Sequence, residues 1–202
     1  MSVTLVPHPK MKGKWIVTGE CQWAKVFAPD TKFDKHGVYS IDILLNEDEV
    51  DMVKEKLMPL AEEHYAELCK DKPMLKKQGK VIDFIREKYD EDGEVVGYSI
   101  QLKQKARIFS EKQNKLFEMK VSVLDGQGNK MDGSQLIGNG SRVSCIFEPA
   151  PYFAANDKKV GVTLRGLSHV KVLELEEFGG GNDPFADAGI ESDFSANNSG
   201  AS

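Results

Sequence analysis

Only one stretch of this chain repeats its apolar residues at the spacing of a helix. Val50, Val53, Leu57, Leu60, Ala61 and Leu68 recur three or four apart, on one face of a 3.6-residue turn. Asn46 precedes them as an N-cap and Glu49 follows it by three, the pattern of a capping box, so a helix is predicted over 46–70, bent at Pro59. Everything else of regular pattern is strand-like, and there is no βαβ rhythm. The fold must therefore be mainly β around one long helix.

Residues 15–27 (WIVTGECQWAKVF) and 38–45 (VYSIDILL) are rich in β-branched and aromatic residues, with the loop PDTKFDKHG between them. Further strands are predicted at 95–109, 117–124, 141–148 and 161–175, separated by EKQNK, DGQGNKMDG, GNG and AANDKK, all turn chemistry. Residues 72–94 are charged and turn-rich, and a long mobile excursion is expected there, with at most a short element at 81–85. About six strands and one helix point to a small closed or nearly closed β-barrel, OB-fold-like, with the helix plugging one end. With 40% hydrophobic residues the chain can bury one ordinary core.

Charge is divided unevenly. Past Lys171 there is no Lys or Arg, while Glu174, Glu176, Glu177, Asp183, Asp187, Glu191 and Asp193 are all acidic. The net charge of −5 thus combines a slightly basic body with an acidic tail. A body at 1–178 and a flexible acidic tail at 179–202 are expected, hinged at Gly179, Gly180 and Gly181, with Phe178 packing on the body.

The alternation in IQLKQKARIF is the most informative. Ile100, Leu102, Ala106 and Ile108 fall on one face of a strand, and Gln101, Lys103, Lys105, Arg107 and Phe109 on the other. Cations about 6.6 Å apart can follow phosphates, and a neighbouring ring can stack a base, the minimum for holding a single nucleic-acid strand. On this strand alone a solvated outer face explains the pattern as well. A second cluster, EPAPYFAANDKKVGVTLRG, adds Tyr152, Phe153, Lys158 and Arg165, and Arg142 lies on another strand. Adjacent aromatics in a Pro-bounded loop cover a base, a neighbouring subunit or a barrel mouth. Trp15 and Trp23 share parity with Val17 and Cys21 and are expected in the core, leaving Lys25 and Phe33 for a ligand.

Catalytic patterns do not emerge. His8, His36, His64 and His169 fall in unrelated segments, and HExxH, GxSxG and GxxxxGK[ST] are all missing from the sequence. IGNGSRV leads into a strand and reads as a hairpin turn, and YDEDGE lacks the ligand spacing of a calcium loop. No enzyme, cofactor or metal is expected. Cys21, Cys69 and Cys145 are isolated and read as buried, reduced thiols suited to a cytosolic compartment. MSVTLVPHPKMKGK has no apolar signal core, and no run approaches the roughly 18 apolar residues of a membrane span, so the protein is expected to stay where it is made.

APDTKFDKHGVYSIDI, LKQKARIF, VLDGQGNKMDG with LIGNGSRV, EPAPYF, and VKVLELEEFGGGNDPFAD occur in that order. Together they resemble the single-stranded DNA-binding proteins of tailed-phage replisomes, of the short-tailed coliphage type. The resemblance runs over 26–187 and is strongest from Leu136 onward. It implies an OB-fold protein of phage DNA replication and recombination in the infected bacterial cytoplasm. Such a protein coats and anneals single strands, forms a homodimer, and reaches polymerase and helicase/primase through its tail. By position it puts Lys103, Lys105 and Arg107 on the basic strand and Tyr152 at a base-stacking site. Arg107 stands where the family has an aromatic, which moves stacking toward Phe109 or Phe153, and the tail runs eight polar residues past Phe194. On this reading Lys103, Lys105, Arg107, Arg142, Lys158 and Arg165 hold phosphates. The tail, through Asp183, Phe185, Asp187, Glu191, Asp193 and Phe194, competes with DNA and contacts partners. The residues by themselves leave open a strand-unselective DNA-binding protein that also accepts duplex, and a non-catalytic adaptor barrel that docks protein.

Overall fold

The computed structural model describes residues 2–176. Strand β1 (Thr4–Pro7) pairs antiparallel with β2 (Trp15–Asp30), and β3 (Val38–Leu45) follows. Helix α1 (Glu47–Asp71) starts where the capping pattern puts it: Asn46 Oδ1 accepts from the Glu49 backbone and Glu49 Oε2 accepts from the Asn46 backbone, both at 2.9 Å. The other oxygen of Glu49 accepts from the Val3 backbone at 2.5 Å, so one side chain caps the helix and fastens the N-terminal segment. Val50, Val53, Leu57 and Ala61 are buried on the inner face of α1.

Residues 72–94 are more ordered than their composition suggests. They form the short α2 (Leu75–Gln78), β4 (Lys80–Val81) and β5 (Arg86–Tyr89), the last a full partner of β6 (Val95–Lys105). A sheet-edge strand has only one neighbour and needs no buried alternation, so a charged sequence can form it. The strand predicted over 95–109 breaks at Ala106. Its second part is β7 (Arg107–Ser110), which turns through a 3₁₀ segment into β8 (Lys115–Glu118) as a separate two-stranded ribbon. Ile108, expected inside, is exposed there. After β9 (Ser122–Leu124) come the two long strands β10 (Arg142–Ala154) and β11 (Lys159–Glu174), each longer than predicted.

Among the described residues eleven strands thus replace the expected six, with two α-helices, one of them long. The main sheet runs β4-β11-β10-β2-β3-β6-β5, with β1 on β2 and β9 on β11. It curls because β2 serves two neighbours in turn: residues 15–20 pair with β10, and from Cys21 onward the strand pairs with β3. The register shifts between Gln22 and Lys25, where Trp23 has φ +53°. A bulge of this kind bends its strand and increases the twist. The curl brings β6 and β11 within 8 Å between Cα atoms, yet no ladder joins them. The result is a curled half-barrel, open along one side, where a closed or nearly closed barrel was expected. Phe147, Leu5, Ile41, Ile43, Ile100, Leu102 and Leu167 fill it, and Leu57 of α1 lies among them.

Cys21, Cys69 and Cys145 are buried and unbonded. Burial pushes the Cys21 thiol up to about 12 and raises that of Cys145, so neither forms a thiolate at neutral pH. Among the described residues no helix is long and apolar enough to cross a membrane.

Candidate nucleic-acid interface

The outer face of β2, β3 and β6 is organised as two rows running across the strands. In one row Lys25, Ser40 and Lys103 are register partners, and in the next Gln22, Asp42 and Gln101. Residues opposite each other on neighbouring strands share a face, and rows two residues apart lie about 6.6 Å from one another. The core residues Ile41, Ile43, Ile100 and Leu102 alternate with them on the other face. Edge strand β5 contributes Arg86, whose Nη1 is 3.8 Å from Asp42 Oδ2. It also contributes Lys88, which hydrogen-bonds Gln22.

Three clefts meet at Lys103. One of about 440 Å³ fills the open seam between β6 and β11 and is lined by Phe84, Arg86, Gln101, Tyr152 and Thr163. A second of about 570 Å³ lies over the two rows, between Trp23, Phe33 and Arg86. The third, about 730 Å³, is lined by Lys14, Lys105, Ile108, Met119 and Arg165. Lys103 lines all three, so they form one winding depression with this lysine at its centre. Burial, and then the charge of Arg86, lower the pKa of Lys103, while Asp42 opposes the shift.

The depression contains acids as well as bases. Lys25 is paired with Asp30, whose carboxyl the bond from Lys25 holds below its ordinary pKa. Glu148 accepts from Lys14 at 3.1 Å and from Arg165 at 3.3 Å, and its pKa is lowered, chiefly by Lys14. The cations are therefore held in place and partly neutralised.

Of the residues singled out in the sequence, Lys103, Lys105, Tyr152 and Arg165 line this depression together. Tyr152 is the register partner of Gly161, and a Cβ at Gly161 would come within 3.0 Å of its ring. The missing side chain is what lets the tyrosine lie against the neighbouring strand. Arg107 and Phe109 are on the β7–β8 ribbon, where Arg107 is 3.6 Å from Glu118 and Phe109 is exposed beside Leu116. Arg142 lines none of the three clefts; it sits at the start of β10 between Glu20 and Glu174, with a buried Nη1 that has no hydrogen-bond partner among the described residues. Lys158 is in the β10–β11 turn, bonded to Gln78.

Phe153 packs against the core, and Lys72 Nζ lies 5.2 Å from its ring centroid. Phe153→Ala is therefore expected to lower the melting temperature, by roughly 2 kcal/mol of stability for a half-buried ring, and to leave ligand affinity almost unchanged; thermal melting and a binding titration of the same variant check both. Asp183, Phe185, Asp187, Glu191, Asp193 and Phe194 lie outside the described residues. The described chain ends at Glu176, whose backbone N–H donates to Ser141 Oγ at 2.9 Å and whose carbonyl accepts from Gly138 at 2.9 Å.

Trp23 corrects the parity argument. The bulge reverses its side, and instead of entering the core it is 62% exposed, with its backbone N–H donating to Asn139 Oδ1 at 2.9 Å. Phe33, 89% exposed, stands across the same cleft with Lys32 Nζ 5.3 Å from its ring centroid. Sequence reading missed Trp23, Arg86 and Lys14 as part of this surface. Beside Lys103, Lys25 and Phe33 of this cleft were visible, from the alternation of cations and rings.

No protein-family model matches the chain. The single-stranded DNA-binding protein of Escherichia phage T7 is 35% identical over 77 residues, which are 38% of this chain and 33% of that protein. The match spans about a third of that relative's length. In three dimensions the whole chain aligns with 99% of gp2.5, a single-stranded DNA binding protein encoded by bacteriophage T7, at a TM-score of 0.63 and 22% identity. The two chains share a fold. The resemblance carried by the sequence motifs thus recurs in a curated relative and in the course of the backbone. The single-stranded DNA-binding protein from bacteriophage Enc34, solved with ssDNA, aligns at a TM-score of 0.48 and 18% identity, over 87% of this chain and 98% of that one.

Proposed function

We propose that this chain is a single-stranded DNA-binding protein of phage replication and recombination. It holds the strand in the depression centred on Lys103. The observation that carries this reading is the convergence of Lys25, Arg86, Lys103, Lys105 and Arg165 with the rings of Trp23, Phe33 and Tyr152 in one open groove. Cations along a groove track a backbone of phosphates, and rings beside them stack bases of any identity. Exposed rings beside the cations suit the unpaired bases of a single strand better than a duplex, whose bases are stacked on one another. The gp2.5 likeness supports the same role.

On this reading residues 1–178 are an OB-fold domain left open at one seam, and 179–202 an acidic tail that contacts polymerase and helicase/primase and competes with DNA. The anchoring of Glu176 beside the 138–141 loop supports that competition, because Asn139 of the same loop holds Trp23 at the groove. The protein dimerises and works in the cytoplasm of the infected bacterium. Its role is binding, with no catalytic step.

Titration of full-length protein with a labelled 30-mer, single-stranded or duplex, over a range of salt tests the proposal. Single-strand affinity is expected to fall by about 0.7 log units per phosphate contact for each log unit of salt. Equal affinity for duplex overturns the strand selectivity, and salt-insensitive or absent binding overturns the DNA-binding role.

A further inference from the structure

Asp42 balances the groove's cations, but it can make no phosphate contact of its own. This carboxylate lies on the floor of the groove, 7% exposed, with Arg86 3.8 Å away and the partly buried Lys88 and Lys103 within reach of its charge, while the side chains of Lys25 and Arg86 rise to the rim, 51% and 49% exposed. An acid directly beneath a phosphate chain repels it. The same acid is favourable only against a group that donates hydrogen bonds. When phosphates ride on the rim cations, what reaches the floor is the edge of a base.

Asp42 has acceptor capacity to offer. Its Oδ1 accepts from Gln101 Nε2 at 2.8 Å, and its Oδ2 is 3.8 Å from Arg86, beyond hydrogen-bonding distance. A carboxylate carries about four lone-pair sites, and the bond from Gln101 leaves the Oε1 of that amide as another acceptor. Lys103 and Arg86 line the same cleft as donors, and the exposed rings of Trp23 and Phe33 flank it.

We propose that, within the single-strand groove, Asp42 is a base-reading residue that selects guanine. The carboxylate accepts from guanine N1–H and the N2 amino group while Lys103 or Arg86 donates to O6. Guanine alone presents two adjacent donors beside an acceptor on its pairing edge. Thymine offers one donor between two carbonyls, and in adenine and cytosine the amino group sits beside a ring nitrogen that repels a carboxylate. The inference rests on the proposed DNA-binding role and adds a preference to it.

The test uses full-length protein and three labelled oligonucleotides in an anisotropy titration at low salt: all-dT, dT carrying several dG, and the same strand with each dG replaced by deoxyinosine, which lacks only the N2 amino group. The dG strand is expected to bind roughly fivefold or more tightly than the inosine strand. Asp42→Asn, with its melting temperature measured alongside, is expected to bring that ratio to near one. Equal dG and inosine affinities in the wild type overturn the proposal whether or not the variant folds. A variant that keeps the ratio overturns it too, as does one that folds but weakens all three strands equally, since a merely structural role predicts that result. Binding to none of the three overturns the single-strand reading, and this proposal with it.

Discussion

Lys103→Glu is expected to weaken single-strand binding roughly ten- to hundredfold at low salt, the loss that removing a charged contact of about 1.5–3 kcal/mol entails. Among the described residues no other cation is shared by all three clefts, and the new carboxylate would stand beside the row that already holds Asp42. Lys103→Arg is expected to keep most of the affinity, and Lys103→Ala to reduce the salt slope by about 0.7. The lysine also predicts a pH dependence. Its pKa in the free protein lies below the ordinary 10.5, and a phosphate beside it raises that value. Binding then takes up a proton in the alkaline range: affinity is full below the lowered pKa and falls as the pH climbs through it. Titrations at neutral and alkaline pH check this; the decline is expected to flatten in Lys103→Ala.

Tyr152→Ala is the second large effect. A stacked base contributes about 1–3 kcal/mol, so the loss expected is roughly fivefold to a hundredfold, with little change in salt slope because no phosphate contact is removed. The companion substitution is Gly161→Val. It keeps the tyrosine but puts a Cβ 3.0 Å from the ring as it now lies, so that the ring must shift. Gly161→Val is expected to reproduce most of the loss seen with Tyr152→Ala, and the double variant to be little worse than either single one. Full affinity in Gly161→Val, with the fold intact, would mean that the ring's position on β11 does not matter for binding.

What the sequence made legible was local. The cap at Asn46 and Glu49, the helix that follows, and the alternation from Ile100 to Lys105 each depend on residues within a few positions of one another. The rows that build the groove do not. Lys25, Ser40 and Lys103 become neighbours only through pairing over long stretches of chain, and Arg86 reaches Asp42 from an edge strand hidden in a charged run. Trp23 fails for a different reason: one bulge with a left-handed residue reverses parity, and nothing in WIVTGECQWAKVF signals it. Arg107 was placed with Lys103 and Lys105 by continuing the same alternation past Ala106. That residue ends the strand, its N–H turned to the Gly37 carbonyl and its own carbonyl to Met119, at 2.8 Å each.

Those two bonds at Ala106 also mark where the ribbon leaves the body. Beyond them the ribbon of β7 and β8 has no buried residue, and Ile108, Phe109, Leu116 and Phe117 face solvent. A two-stranded hairpin without a covered face is marginal by itself and opens far more readily than the body it hangs from. In native-state hydrogen exchange its amides should exchange well ahead of those in β3 and the first half of β10, whose protection should follow global unfolding. The ribbon can therefore unfold locally without drawing on the stability of the core.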